Sequence, residues 1–467
     1  MTVRSLLVWP ALLVAAFLAV SAVTVSPASA RKFTLEELIQ MSRGNPQLAA
    51  DAAATAAMEA QVLEAKLNWL PQGSVLSLLA PSPNVQCLNQ FGVRDPNNCV
   101  RTSAPEVNLS TLSWNRVFTH TEVQLIQPLW DFGKISAGVR AAKAGVEVSR
   151  QKEAGSRADL DLNIRKAYYG LKLAREVLDT LDEGGGYIEN AQKTIDKDLA
   201  KGTGSSTVTD RLRMRTVHAD LDARTLETKR LQGLARDSLR TLLGPEAPAD
   251  LDIDDDPFEP PDVPERPVAY YEDLARAVRP EVKLLDAGIR AKQALADLER
   301  RKEYPDLILI GGAVFAFAQG VDNPTNAFYT HYYNSTAAGV AAGLRIPLDL
   351  GPKIARSRRL AAEAEQVGYQ QSAAMGGIML EVRKAYGEVA EARSRVASME
   401  KGEKAGKAWI SAVAQNFAVG LAEARDFSDA LIAFFGMRTR YLQAVYDFDV
   451  ALSSLARATG VPDFHSL

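Results

Sequence analysis

The chain of 467 residues has little of what metal-binding and nucleic-acid-binding proteins use. It contains two cysteines and four histidines, which are too few and too scattered for most metal sites, so we expect no metal and no other cofactor. Aromatic residues make up only 7%. No charge sign dominates, because 54 Lys and Arg stand against 57 Asp and Glu. Nucleic acid is therefore not an expected partner.

The signatures of common enzymes are missing from the sequence as well. It contains no G-x-S-x-G, no G-x-x-x-x-G-K and no H-E-x-x-H motif, which excludes the usual nucleophile elbow, phosphate loop and zinc helix. The glycine-rich run at 202–206 lacks the lysine of a phosphate loop and is more typical of a hairpin turn. We expect no enzymatic activity.

The only long apolar run lies at the amino terminus. It extends over residues 6–25, follows Arg4 and precedes Ala28-Ser29-Ala30, which is the order of a secretory signal peptide. A retained anchor is the alternative, because the run approaches the ~20 residues that span a bilayer. Beyond Ala30 the chain either is water-soluble or crosses a membrane as strands.

Export would also permit a disulfide between Cys87 and Cys99. Both cysteines lie in a segment rich in Pro, Asn and Gly, which indicates an exposed loop. A bridged pair and two free thiols are both open at this point.

The chain repeats itself once. Asn45-Pro46 aligns with Arg279-Pro280, and Arg165-Lys166-Ala167-Tyr168 returns as Arg383-Lys384-Ala385-Tyr386. Between the halves, residues 245–267 hold seven prolines and nine acidic residues, a composition that resists both helix and core formation. The predicted divisions are a signal peptide (1–30), a first repeat (31–244, strand pair at about 72–128), a linker (245–267), a second repeat (268–460, strand pair at about 305–348) and a tail (461–467).

Each half contains a long helical pattern. Apolar residues alternate at spacings of four and three, which predicts coiled-coil-like packing. No proline occurs from Lys134 to Ala200, so one helix of ~66 residues would be ~100 Å long. Gly184-Gly185-Gly186 could kink or break it. The two matched sets are Leu160, Ile164, Ala167, Leu171, Ala174, Leu178, Leu181 and Ile378, Val382, Ala385, Val389, Ala392, Val396, Met399.

Between the helical regions the apolar period approaches two, which predicts two strands per half, each long enough to be a tilted transmembrane strand. A four-stranded soluble sheet is the alternative. Strand edges are not tolerated in hydrocarbon, and four strands cannot close into a barrel. If the strands lie in lipid, several chains must therefore share one wall.

These features resemble the TolC-like outer membrane factors, also called outer membrane efflux proteins. The resemblance is carried by the duplication and by two segments of the second half: the turn Phe417–Leu421 with Asp426–Ala430, and the closing helix Tyr441–Gly460. It implies an α+β membrane protein of the Gram-negative outer membrane that extends into the periplasm. Its duplicated long helical hairpins would form a trimeric α-barrel, and four strands per chain would form a trimeric 12-stranded transmembrane β-barrel.

The resemblance further implies the outer membrane channel of a tripartite efflux pump or type I secretion system. Its partners would be two further copies, outer-membrane lipid, a periplasmic adaptor, and an inner-membrane pump or ABC-type transporter. The alternative is a soluble periplasmic coiled-coil adaptor or scaffold, which would not need two matched strand pairs.

The family's functional positions map onto the two hairpin turns. The adaptor contacts would be Lys201, Gly202, Thr203, Val419, Gly420 and Leu421. The tunnel constriction would involve Asp426, Asp429, Thr209, Asp210 and Phe417. Some members lock the mouth with a tyrosine and an arginine, whereas this chain has Phe417 and Ala422, so that lock cannot form. Independently of the family, three-fold copies of two aspartates would attract cations.

Overall fold

A computed structural model of the chain describes residues 32–102, 112–202, 206–323, 332–419 and 421–463. The expected signal peptide and the end of the expected tail lie outside these residues. The main sheet is antiparallel with strand order β2-β5-β7-β8. Its strands are β2 (Gln72–Pro83), β5 (Leu112–Trp130), β7 (Asp306–Ala318) and β8 (Ser335–Arg345). Each half of the chain therefore supplies two adjacent strands.

Two small sheets complete the strand content of the described residues. β1 (Lys32–Phe33) pairs in parallel with β6 (Asp252–Ile253), and β3 (Cys87–Leu88) pairs antiparallel with β4 (Arg101–Thr102). Short helices α1 (Leu35–Met41) and α5 (Val268–Val278) precede the longer helix of each half.

The helices recur in matched lengths. The 22-residue helices α2 (Pro46–Leu67) and α6 (Pro280–Arg301) precede the strand pairs. The longest helices, α3 (Lys134–Lys201) and α7 (Leu350–Ala418), have 68 and 69 residues, so each is about 100 Å long. The returning helices α4 (Val208–Leu243) and α8 (Ala424–Thr459) have 36 residues each. The expected long rods are thus confirmed.

Packing follows the predicted heptads. The buried residues of the two heptad sets lie on the sides of α3 and α7 that contact other helices. Coiled-coil-like packing predicts this placement. The buried residues are Leu160, Ile164, Leu171, Ala174 and Leu181 in α3, and Ile378, Val382, Ala385, Val389, Ala392 and Val396 in α7. Next to the sheet, α2 packs on α3, α3 on α6, and α6 on α7. These four helices form a row with α2 and α7 at its ends.

The glycine triplet does not interrupt α3, so the break that the sequence permitted is absent. Gly184 is buried, and a Cβ built on it would lie 3.1 Å from Leu221 Cδ1 and 3.4 Å from the Phe435 ring. The missing side chain therefore lets α4 and α8 approach α3 closely. Gly185 and Gly186 face open space in the single chain.

The linker between the halves contributes to the core, so the expectation that its composition resists core formation was wrong. Leu251, Ile253, Phe258 and Val263 are all buried, and they join the two large apolar clusters of the chain. Because the acidic residues are interspersed with single apolar ones, an extended backbone can direct them to opposite sides. Arg175 pairs with two of the acidic side chains in this segment.

Candidate functional site

The tip of the first hairpin is built from helix ends. α3 ends where Gly202 adopts φ +64°, a left-handed conformation that favours glycine, and the Gly202 N–H donates to Asp198 O at 3.0 Å. Lys201 and Gly202 are exposed, as a docking tip requires. Thr203 lies outside the described residues.

The start of α4 uses Asp210 as a structural residue. Thr207 is the N-cap, its hydroxyl accepts from the Asp210 N–H at 3.2 Å, and the Asp210 carboxylate accepts from the Thr207 N–H at 2.9 Å. This reciprocal capping box satisfies two otherwise unpaired helix donors. Asp210 also lies 3.6 Å from Arg213. Thr209, the other expected gate residue of this half, is exposed. Asp210, in contrast, is already bonded within its own helix.

The second tip is more apolar. Val419 is 69% exposed and Leu421 is 80% exposed, while Gly420 lies outside the described residues. The Leu421 N–H donates to Asn416 O at 2.8 Å, which folds the turn back on the end of α7. Two large apolar side chains are thus presented at the end of the hairpin, where a partner could cover them.

Asp426 and Asp429 lie in the first turns of α8 and are exposed. Phe427 and Ser428, which lie between them, are buried, so the two carboxylates project away from the packed side of the helix. Asp429 lies 3.9 Å from Arg425 on its own helix. Arg425 therefore offsets part of the charge of Asp429.

Phe417 packs between the two helices of the second tip. Its ring stacks on Phe427 with centroids 5.1 Å apart and an interplanar angle of 25°. This contact belongs to a buried cluster that also includes Phe434 and Phe435. Sequence analysis did not identify Phe427 as the partner, since the resemblance drew attention to the aspartates on either side of it.

The main sheet has two chemically different faces. Pairing aligns Val75 with Val123, and Phe315 with Thr121, on what we call the apolar face. Its members in the paired region are uncharged, and several are large and exposed. The exposed large ones include Val75, Leu79, Val117, Leu125, Phe315, Phe317, Val340 and Leu344.

The other face, here called the polar face, carries the ionisable side chains in the paired part of β5, beside the exposed Leu76 and Leu78 of β2. His120, Glu122 and Gln124 alternate with the residues of the apolar face, and His120 Nε2 lies 3.9 Å from Glu122 Oε2. A sheet with one apolar and one polar face can separate lipid from water.

Beyond the end of the sheet that lies away from the long helices, Cys87 and Cys99 form a disulfide with their Cα atoms 5.0 Å apart. β3 and β4 lie beside it, and Asp95 caps a short 3-10 helix at 96–98. The cysteines thus close a small structured loop.

A buried carboxyl that the sequence did not single out lies in α8. Asp449 is only 3% exposed. Burial raises the pKa of the Asp449 carboxyl to about 8, and the Lys172 ammonium of α3 opposes that rise. Heptad spacing could have placed this position on the packed side of the helix, but not the depth of its burial.

Within the described ranges, no helix is both long and apolar enough to cross a membrane.

Comparison with known proteins agrees with the architecture. The profile of the family "outer membrane efflux protein" matches residues 103–245 and 272–461. The cobalt-zinc-cadmium resistance protein CzcC of Cupriavidus metallidurans is 24% identical over 292 residues, which are 61% of this chain and 59% of CzcC. The match thus spans little more than half of that relative's length.

Solved outer membrane channels share the fold. The Campylobacter jejuni CmeC channel superposes with a TM-score of 0.71 at 14% identity, over 93% of this chain and 87% of CmeC. The open state of the Neisseria gonorrhoeae MtrE channel superposes with a TM-score of 0.69 at 16% identity, over 92% of this chain and 89% of MtrE. The family match covers most of the chain and confirms the resemblance inferred from the repeats and turns. This chain belongs to the outer membrane efflux protein family.

Proposed function

We propose that three copies of the chain form the outer membrane channel of a tripartite efflux system, with a shared 12-stranded barrel in the outer membrane and a 12-helix tunnel in the periplasm. The observation that carries this proposal is the open sheet. Within the described residues, β2 and β8 each pair with one neighbour and leave one edge open. Unpaired edges are excluded from hydrocarbon, and four strands are too few to close.

The two faces give the closed sheet its orientation. Lipid requires an apolar outer surface, and a solute path requires a wet inner one. The apolar face therefore faces lipid, and the polar face with His120, Glu122 and Gln124 lines the lumen. A soluble scaffold would not need the first of these surfaces, so we favour the channel.

The row of four helices follows the strand order of the sheet, and its two end helices, α2 and α7, each leave one side uncovered. Exposed small residues cover much of α2 and the adjacent part of α7. Small side chains let helix backbones approach closely, so α2 of one copy can pack on α7 of the next. The exposed small residues include Ala52, Ala53, Ala56, Ala57 and Ala60 in α2, and Ala361, Ala362, Ala373, Gly376 and Gly377 in α7.

The tips are the proposed partner and selectivity sites. The exposed Val419 and Leu421, with Lys201, Gly202, Thr203 and Gly420, would meet a periplasmic adaptor linked to an inner-membrane pump or ABC-type transporter. The name of CzcC refers to cobalt, zinc and cadmium resistance, which favours efflux, including that of metal cations, over protein secretion.

Three-fold symmetry would place copies of Asp426 and Asp429 around one axis at the tunnel mouth, with Thr209 and Phe417 nearby. Confined carboxylates concentrate cations. Because Arg425 lies near Asp429, Asp426 should contribute the larger share of the field.

Planar-bilayer recording of the detergent-purified protein tests the proposal. We expect cation-selective channels whose reversal potential in a tenfold KCl gradient moves towards zero in Asp426→Asn. The matched variant Arg425→Gln should move it the other way, because it removes a positive charge beside the ring. A monomer recovered in the soluble periplasm without detergent would overturn the channel. Channels with the same selectivity in all three proteins would overturn only the ring.

A further inference from the structure

The loop closed by the disulfide is a compact unit. We call residues 85–100 the disulfide cap. Asn89 Oδ1 accepts from the backbone N–H groups of Phe91 and Val93, both at 3.0 Å, and the Val100 N–H donates to Leu88 O at 2.9 Å. With the disulfide, these bonds fix the shape of the cap independently of the strands. It can therefore move as one body.

The cap is fastened to the other half of the chain through Asp322, by both its carboxylate and its backbone N–H, next to a bridge between Val85 and Val321. The side chain of Asp322, which follows β7, is 8% exposed and accepts from Arg94 Nε at 2.8 Å and from the Cys87 N–H at 3.1 Å. A second Arg94 nitrogen also bonds this carboxylate. The Asp322 N–H donates to Val85 O at 3.1 Å. Cys87 and Asp322, which are 235 positions apart, are thus joined at the end of the sheet that lies away from the long helices.

The position of the fastening shows which face the cap covers. Val85 is 2% exposed and forms a cluster with Ala318 and Val321, against which Phe118 packs. Phe118 and Ala318 are direct cross-strand partners, so they share one face. It is the polar face, because Phe118 precedes His120 by two residues in β5. The cap is therefore folded onto the side that carries Glu122 and Gln124.

We infer that the disulfide cap is a lid over the outer mouth of the conduit and sets the size of the solutes that leave it. The inference rests on the proposed function, since the polar face lines a lumen only in the closed assembly. Three caps fastened to the inward side of one barrel narrow its exit. Arg94 is 58% exposed, so release of Asp322 leaves a charge that water can solvate and a cap that can swing away from the axis.

Cysteine labelling in intact cells tests the lid from outside, independently of the periplasmic tip. The two native cysteines are bonded to each other, so Gln124→Cys introduces a single free thiol on the polar face. Val123→Cys is its matched control, one residue away on the apolar face. The small probe is N-ethylmaleimide. The large probe is a maleimide attached to a 5-kDa polyethylene glycol, whose size is on the order of a barrel lumen.

We expect the small probe to label Gln124→Cys at the same rate with or without Asp322→Ala. The large probe should react at least tenfold faster when Asp322→Ala is added. Arg94→Ala provides a second release that leaves the carboxylate in place, and it should give the same acceleration.

The outcomes separate the two proposals. If neither Asp322→Ala nor Arg94→Ala changes the rate at which the large probe labels Gln124→Cys, the lid is overturned and the proposed conduit is not. Labelling of Val123→Cys as fast as Gln124→Cys by the large probe would overturn the orientation of the sheet, and with it the proposed function.

Discussion

Replacement of Asp449 by asparagine should make the protein more stable at alkaline pH. The carboxyl is 3% exposed, and burial raises its pKa from the ordinary 3.8 to about 8. The groups that face it from α3 are Lys172, which lies against Asp254 at 3.0 Å, and the Tyr169 hydroxyl, whose own pKa is raised by burial. Neither supplies a dedicated counter-charge.

The sign follows from proton binding. Between pH 4 and pH 8 the folded chain keeps the Asp449 proton while the unfolded chain loses it, so the free energy of unfolding falls as pH rises through this window. The full rise from 3.8 to about 8 corresponds to about 6 kcal/mol at 1.36 kcal/mol per pKa unit. Movement of the ionised carboxylate towards Lys172 lowers the free-energy cost of burying its charge. We therefore expect Asp449→Asn to raise the free energy of unfolding by at least ~1 kcal/mol at pH 9 and by almost nothing at pH 4.

Urea unfolding of the detergent-solubilised protein, followed by far-UV circular dichroism at each pH, measures the difference. Asp179→Asn, which changes an exposed carboxylate on α3, is the matched control and should show no pH-dependent gain. If Asp449→Asn is instead less stable than the parent at pH 9, the carboxylate is ionised and paired with Lys172, and the argument fails.

Two further stability predictions follow from close contacts. Gly184→Ala should destabilise the protein by at least ~1 kcal/mol, because its Cβ would meet Leu221 at 3.1 Å. Gly185→Ala in the same helix should instead stabilise it by up to ~1 kcal/mol. Equal effects of the two substitutions in thermal unfolding would contradict this prediction. Arg279→Ala should cost about 3 kcal/mol, because its guanidinium is 5% exposed and bonds two glutamates and a backbone carbonyl. Arg276→Ala, an exposed change, should cost under ~1 kcal/mol, and similar losses for the two arginines would refute the burial argument.

The parts of the fold that were predictable are those set by periodicity and by proline. α3 begins at Lys134, at the end of the proline-containing strand region, and runs to Lys201, as the absence of proline predicted. Asn45 before Pro46 is a strong start signal, and its side chain does accept from the Gln47 N–H at 2.8 Å. Such signals are local, so the sequence alone reveals them.

Strand lengths and tertiary pairs were harder to predict. β5 has 19 residues, well beyond the about 9–11 of a tilted transmembrane strand, because its pairing with β2 continues past a register shift after Pro81. The bond between Arg94 and Asp322 joins loops from different halves, and neither sequence segment indicates the other. Side-chain partnerships of this kind depend on the assembled fold.

The duplication does not make Asp210 and the acidic residues of the second tip equivalent within their own helices. The two halves join equivalent ends of their helices with different groups: Asn45 donates to Leu242 O at 2.7 Å, and Arg279 donates to Ala458 O at 3.0 Å. At the tips the difference changes the available charge. Thr207 and Asp210 bond each other at the start of α4, whereas Glu423, the N-cap residue of α8, makes no side-chain capping bond.

The acidic side chains near the start of α8 are therefore free of any helix-capping role. A carboxylate used in a capping box is held against its own helix end and loses much of its freedom to face a pore. If the tunnel mouth carries a charged ring, its field must then come mainly from Asp426 and Asp429 of the second half. The first half would contribute a rigid turn instead, so equivalent positions of the two repeats would not be equivalent in selectivity.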